Sequence, residues 1–230
     1  MRCFACSIDF NYDTTICAIC GRPLETDSDR YFKAGMAAFD AGNLEESIVL
    51  FSDCLNLNPN HLTARFNLGI AYSLNNQCDT AMEELLAVAA QDPNYPGLFT
   101  ALGQAAFGSY LHHRELAQER EQQMLQLLKE AISRDDADVD ALFSLGNAYI
   151  ALDNPLQALP YLKRAAKIDP NAPAIYFTLA KTFQMLGRNQ EALLMAEKSL
   201  AISSPEDGFR DLIEGLFSDL QDELHAKPEI

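Results

Sequence analysis

The sequence predicts an all-α chain, a two-helix unit repeated over most of its length and preceded by a short cysteine-bearing segment. Three observations predict it. Near-copies of one string recur, Phe66-Asn67-Leu68-Gly69-Ile70-Ala71-Tyr72 and Phe143-Ser144-Leu145-Gly146-Asn147-Ala148-Tyr149. Small residues return at a fixed interval: Gly35, Gly69 and Gly103 stand 34 apart, as do Gly146 and Ala180, and only the step from Gly103 to Gly146 is longer, at 43. Apolar residues around these positions fall three or four apart, the spacing of one stripe along a helix.

Each unit can be justified place by place. On the first helix Leu68, Leu102, Leu145 and Leu179 precede the small residue, with Ala34 in the first copy. Tyr72, Tyr149 and Phe183 follow it by three, weakening to Ala38 and Ala106. On the second helix the small inner residues are Ser47, Ala81, Ala158 and Ala192. Turn signals separate the paired helices at Ala41-Gly42-Asn43, Asn75-Asn76, Asp153-Asn154-Pro155 and Leu186-Gly187-Arg188. Pro59, Pro93 and Pro170 close three units, because proline cannot supply the N–H of a continuing helix, and Pro205 stands one place late in the last. A small residue where the paired helices cross is expected to let them approach closely.

These residues resemble the tetratricopeptide repeat family, whose unit is a helix–turn–helix of 34 residues. The resemblance implies a right-handed superhelix of about five hairpins, at 28–61, 62–95, 96–138, 139–172 and 173–206. It also implies a concave groove lined by the first helices, where a peptide or helix of a protein partner binds. The lining it assigns begins with Phe32, Phe66, Phe143 and Phe177, with Thr100 in the third unit. One turn on come Met36, Ile70, Gln104, Asn147 and Lys181, then Phe39, Ser73, Phe107, Ile150 and Gln184. An apolar groove of this kind marks an interaction surface. Family members that grip acidic chaperone tails place Lys and Asn on successive first helices. Those places here hold Phe32, Met36, Asn67, Gly97 and Ala101, and only Asn67 conforms, so a chaperone adaptor is not expected.

Two departures stand out. The third unit carries about nine extra residues, and positions 111–124 contain neither Gly nor Pro, which predicts a lengthened hairpin. Its second helix, 122–134, keeps the pattern with Met124, Leu128 and Ala131, although Asp136 replaces the closing proline. Beyond the last unit, 207–225 is expected to form an amphipathic capping helix, with Phe209, Leu212, Ile213, Leu216, Phe217 and Leu220 on one face.

The first 26 residues carry Cys3-Phe4-Ala5-Cys6 and, after ten intervening residues, Cys17-Ala18-Ile19-Cys20. Two such pairs are the spacing that sets four thiolates around Zn²⁺, and the loop and the ending Cys20-Gly21-Arg22-Pro23-Leu24 resemble the short zinc-ribbon family. Ser7 departs from that family's usual Gly. A segment this small cannot bury a core of its own, so a structural zinc held by Cys3, Cys6, Cys17 and Cys20 is the expected staple. The ribbon would act either as a second contact surface or as an N-terminal cap. The alternative reading makes these cysteines a metal- or redox-responsive sensor in a regulatory protein. Of the other two cysteines, Cys54 is expected in the core and Cys78, in a turn, at the surface.

Charge and composition narrow the function. The net charge of −16 disfavours a nucleic-acid backbone as partner. No apolar stretch has the length of a membrane span and no secretion signal opens the chain, so a cytoplasmic protein is expected. Among the histidines, His112 and His113 point about 100° apart on a helix, and His61 and His225 stand alone. With no nucleophile–base pair and no phosphate loop, the sequence reads as a non-enzymatic scaffold whose oligomeric state is open.

Overall fold

A computed structural model describes residues 2–3, 8–9, 19–20, 26–112, 117–204 and 208–226. Two short strands, β1 (Arg2–Cys3) and β2 (Ile8–Asp9), pair antiparallel with Arg2 opposite Asp9 and Cys3 opposite Ile8. Eleven helices follow among the described residues. They are α1 (Asp27–Asp40), α2 (Leu44–Leu57), α3 (Leu62–Leu74), α4 (Cys78–Gln91), α5 (Leu98–His112), α6 (Ala117–Arg134), α7 (Val139–Ala151), α8 (Pro155–Ile168), α9 (Pro173–Met185), α10 (Asn189–Ile202) and α11 (Arg210–Ala226). No helix among the described residues is long and apolar enough to cross a membrane.

The chain divides into two compact units, residues 1–113 and 114–230. In the first, α1 packs on α2 and α3 on α4 as hairpins, α2 and α4 join them in series, and α5 rests on α4 and α3. In the second, α6 packs on α7, the hairpins α7/α8 and α9/α10 stack, and α11 lies on α10 and α9. The lengthened third unit therefore contributes α5 to one compact body and the 18-residue α6 to the other.

Local chemistry explains where the helices start and stop. Thr26 caps α1 reciprocally: its Oγ1 accepts from the Asp29 N–H at 3.1 Å, and the Asp29 carboxylate accepts from the Thr26 N–H at 3.0 Å. The turn inside each of the four hairpins α1/α2, α3/α4, α7/α8 and α9/α10 uses one left-handed residue at the equivalent place, Gly42, Asn76, Asp153 and Gly187. The next residue's N–H then bonds back five places, from Asn43 to Ala38, Gln77 to Tyr72, Asn154 to Tyr149 and Arg188 to Phe183. That is the glycine-favoured helix stop, built twice without glycine.

Between hairpins a second device recurs. Asn58, Asp92, Asp135 and Asp169 each accept, through the side-chain oxygen, from the N–H two residues on. This turn survives in the third unit, where Asp136 stands in place of proline, so the stop there rests on Asp135 rather than on the closing residue.

The core is one stripe per helix. Phe51, Cys54, Leu55, Ala64 and Leu68 form the cluster of the first two hairpins, with Phe32, Met36, Phe39, Ile48 and Tyr72 packed against it. In α6 the buried stripe is Met124, Leu128 and Ala131. The crossing of paired helices is built by size complementarity. A Cβ on Gly35 would lie 2.7 Å from the Phe51 ring, one on Gly69 2.7 Å from Leu85 Cγ, and one on Gly146 2.5 Å from Leu162 Cδ2. These glycines make room chiefly for a large side chain sixteen residues on, and not for a neighbouring backbone as the sequence suggests. Where the small residue is Ala180, the facing residue shrinks to Ala196, also buried.

Cys78 is buried, with 7% of its surface exposed, against the expectation of a surface thiol. It is the first residue of α4, and its sulfur occupies the space beside Gly108 of α5, 2.3 Å from where a Cβ there would sit. In α11 the fully buried residues are Ile213 and Leu220, seven apart. Leu212, expected on the same face, is 60% exposed, because one residue's turn of 100° carries it off the buried line.

Candidate functional site

Four first-helix phenylalanines were the leading groove residues, and three are engaged by rings from the linker or element that follows their own hairpin. Phe32 lies 4.8 Å from the His61 ring and 6.0 Å from Phe51. Phe66 lies 4.8 Å from Tyr95, and Phe177 meets Phe209 edge-on at 4.8 Å. Each is half-buried, and each ties a hairpin to the next element. The signal was in the sequence: His61 and Tyr95 both stand 29 places after the phenylalanine they meet. The same step from Phe143 reaches Ala172, which offers no ring.

His61 has three jobs at its junction. Its ring covers Phe32, its Nδ1 accepts from the Ala64 N–H at 3.1 Å to cap α3, and its Nε2 faces Asp29 at 4.0 Å.

The remaining assigned residues separate by unit. In the first, Met36 and Phe39 pack against the core cluster, while Ile70 and Phe107 are half-buried on α3 and α5, which touch. In the second, Phe143 and Asn147 are half-buried on α7, and Lys181 is exposed on the adjoining α9. The Lys181 ammonium stands 5.5 Å above the Phe177 ring, which holds it over the first-helix face. The geometry offers an apolar ring, a carboxamide and a cation on two neighbouring helices of the second unit. Residues 139–204 carry six Lys and Arg against five Asp and Glu, a local balance of +1 in a chain of −16.

The edge of this face is held by α11. Glu223 accepts from Asn189 Nδ2 at 2.7 Å and from Gln184 Nε2 at 3.1 Å, so the assigned Gln184 is engaged within the chain. Asn67, the one position matching a chaperone-tail clamp, donates its amide to the Thr63 carbonyl at 2.8 Å.

Of the assigned metal ligands, Cys6 and Cys17 lie outside the described residues. Cys3 ends β1, directly opposite Ile8, so the connection between the paired strands is residues 4–7 and includes Cys6. Cys20 lies in a turn and is exposed. His112 points its Nδ1 to the Gly108 carbonyl at 2.7 Å, and His113 lies outside the described residues.

Comparison with known proteins addresses the repeats. Residues 38–105 and 139–182 each match a family model described as tetratricopeptide repeat. Those two stretches carry tetratricopeptide repeats. A tetratricopeptide repeat-containing protein of Caenorhabditis elegans, trd-1, is 26% identical over 151 residues, an alignment covering 61% of this chain and only 20% of that protein. The chain thus spans about one fifth of the length of that relative. Solved structures share the fold. The Thermus thermophilus protein TTC0263 superposes with a TM-score of 0.71 at 23% identity, covering 84% of this chain and 98% of that one. MamA gives 0.59 at 20% identity over 76% of this chain and 91% of its own. YrrB, described as a repeat protein with an unusual peptide-binding site, gives 0.55 at 19% identity over 82% and 92%.

Proposed function

We propose that the chain is a protein-interaction scaffold, and that the first-helix face of its second unit, around Phe143, Asn147 and Lys181, takes an extended or helical peptide carrying a carboxylate. The observation that carries this reading is Phe143. It occupies the place where Phe32, Phe66 and Phe177 each meet an aromatic ring, yet 29 places on stands Ala172, and no ring meets Phe143 among the described residues. Beside it Asn147 can exchange hydrogen bonds with a peptide backbone, and Lys181 can pair with an acidic side chain. The likeness to YrrB, described as having a peptide-binding site, supports the scaffold class. Capture of partners from a lysate tests it, comparing the native chain with Phe143→Ala and Lys181→Glu. Phe66→Ala is the contrasting variant, because Phe66 packs on Tyr95 and its loss acts on folding. Unchanged capture by Phe143→Ala and Lys181→Glu would refute the assigned face.

For residues 1–26 the reading is a structural zinc ribbon with Cys3, Cys6, Cys17 and Cys20 as ligands. What supports it is the spacing of the pairs and the strand register that brackets the first pair. Four thiolates fill a tetrahedral zinc, so the ion would supply folding energy and leave no position for a substrate. The expectation is about one zinc per purified chain by elemental analysis, lost in Cys17→Ser.

A further inference from the structure

One second helix carries the opposite sign from its counterparts. α8 holds Lys163, Arg164 and Lys167 and no acid, whereas α2 and α4, at the same place in their hairpins, each hold three acids and no cation. Its outer ridge differs too. Leu156, Pro160, Lys163 and Lys167 follow the spacing of one helix face, and all four are exposed. The equivalent residues are Glu45, Val49, Ser52 and Asn56 on α2, and Asp79, Glu83, Leu86 and Ala90 on α4. Two features of the α8 ridge cost the helix stability. Leu156 stands 72% exposed in the first turn, where an acid would complement the helix dipole. Pro160, inside the helix, has no N–H to give the Leu156 carbonyl. Both are apolar and face outward beside cations, the composition of a contact surface.

A ridge of opposite sign lies on α11, which carries five acids against Arg210. Glu214 pairs with Arg210 at 2.9 Å, and Glu223 is held by Asn189 and Gln184. Asp219 and Asp222 are exposed and have no ion-pair partner among the described residues. Register decides the match. From Leu156 it is seven residues to Lys163 and eleven to Lys167; from Leu212, 60% exposed, it is seven to Asp219 and ten to Asp222. At about 1.5 Å per residue, the two ridges agree to within about 2 Å when the helices run parallel. Pro160 then falls beside Gly215, where an added Cβ would meet nothing within 4 Å. Leu86 of α4 is also exposed with an acid, Asp79, seven places away, but Asn75 and Asn76 stand at the second step, so that helix does not fit.

We infer that the chain pairs with a second copy of itself: α8 of one copy packs along α11 of the other, with Leu156 on Leu212, Lys163 by Asp219 and Lys167 by Asp222. Within one chain α11 lies on α10 and α9, which stand between it and α8, so the match is made between copies. A two-fold axis makes it twice. Arg164 is taken by Asp136 at 2.8 Å, and Lys163 stands 5.5 Å over the Phe183 ring with Glu191 near, which leaves Lys167 the freest cation. Two chains of −16 repel at long range. At about 0.15 M salt the screening length is about 8 Å, so the local pairing outlasts that repulsion. The surface belongs to a second helix and is separate from the first-helix face proposed for a peptide.

Sedimentation velocity of the full chain at about 0.15 M salt and up to about 100 μM tests it. The expected result is a concentration-dependent dimer. Lys163→Glu/Lys167→Glu and Asp219→Lys/Asp222→Lys should each weaken it about tenfold or more, because both contacts then oppose like charges. An equimolar mixture of the two variants should regain the native dimer, since every contact in the mixed pair again joins opposite charges. Thermal unfolding checks that each variant is folded, and Lys167→Glu with Asp222→Lys is the second pair, used where Lys163→Glu disturbs the Phe183 contact. A native chain that stays monomeric throughout, variants that dimerise as the native chain does, or a mixture no better than its components would overturn the pairing.

Discussion

Single residues carry two features that can be tested without a partner. Asn76 and Asp153 hold the left-handed turn position that Gly42 and Gly187 fill in the other hairpins. A side chain in that region costs about 1–2 kcal/mol, less for Asn and Asp. Asp153→Gly should therefore raise unfolding free energy by up to about 1 kcal/mol, seen as a higher urea midpoint at unchanged slope. Cys54 offers a pH signature. Burial, and then the negative charge of Asp29, push its thiol from 9.0 up to about 11 in the folded chain. A folded value above the unfolded one means that the native state holds the proton longer, so the stability from burying the neutral thiol is complete below pH 9 and is lost as pH rises through 11. Each pH unit in that window costs up to about 1.4 kcal/mol. Denaturation curves of the native chain against Cys54→Ala should diverge in slope above pH 9 and run parallel below it. Equal alkaline slopes would show that the thiol does not titrate with folding.

Paired helices are held by matched sizes, and that sets the element-scale prediction. Gly146 faces Leu162 so closely that an added Cβ would lie 2.5 Å from Leu162 Cδ2. Gly146→Ala gains helix propensity of about 1 kcal/mol and loses about 1–3 kcal/mol to overpacking, for a net destabilisation. In a Leu162→Ala background the same change should be neutral or stabilising, because Ala180 facing Ala196 is that pairing already in place one hairpin on. A double-mutant cycle by thermal or urea unfolding reads the coupling, and additive effects would remove the argument.

The same scale shows what was legible in the sequence. The period, the turn residues and the α6 stripe could be read because they depend on neighbours along one helix. The fate of the first-helix phenylalanines was harder, since it depends on a ring 29 or 32 residues away: Phe32 and Phe66 look alike to Phe143 until His61, Tyr95 and Ala172 are set beside them. Cys78 misled for a related reason. Its turn position says surface, and only the passage of Gly108 over it makes it core.

Stacked repeats couple to nearest neighbours, which makes the whole molecule a chain of local stabilities. In the second unit the last link is α11, held by Ile213, Leu220, the Phe177–Phe209 contact and the two amides that donate to Glu223. Leu220→Ala removes a fully buried side chain and should cost about 2–4 kcal/mol. Because α11 lies on α10 and α9, hydrogen exchange should accelerate most in those helices, less in α8 and α7, and not at all in α1–α4. Glu223→Gln should reproduce the pattern weakly, since a neutral amide oxygen still accepts from Asn189 and Gln184 but without the charge. Uniform acceleration from α1 to α10 would instead mean that the repeats open as one cooperative block, and the graded response is what separates an end cap from a keystone.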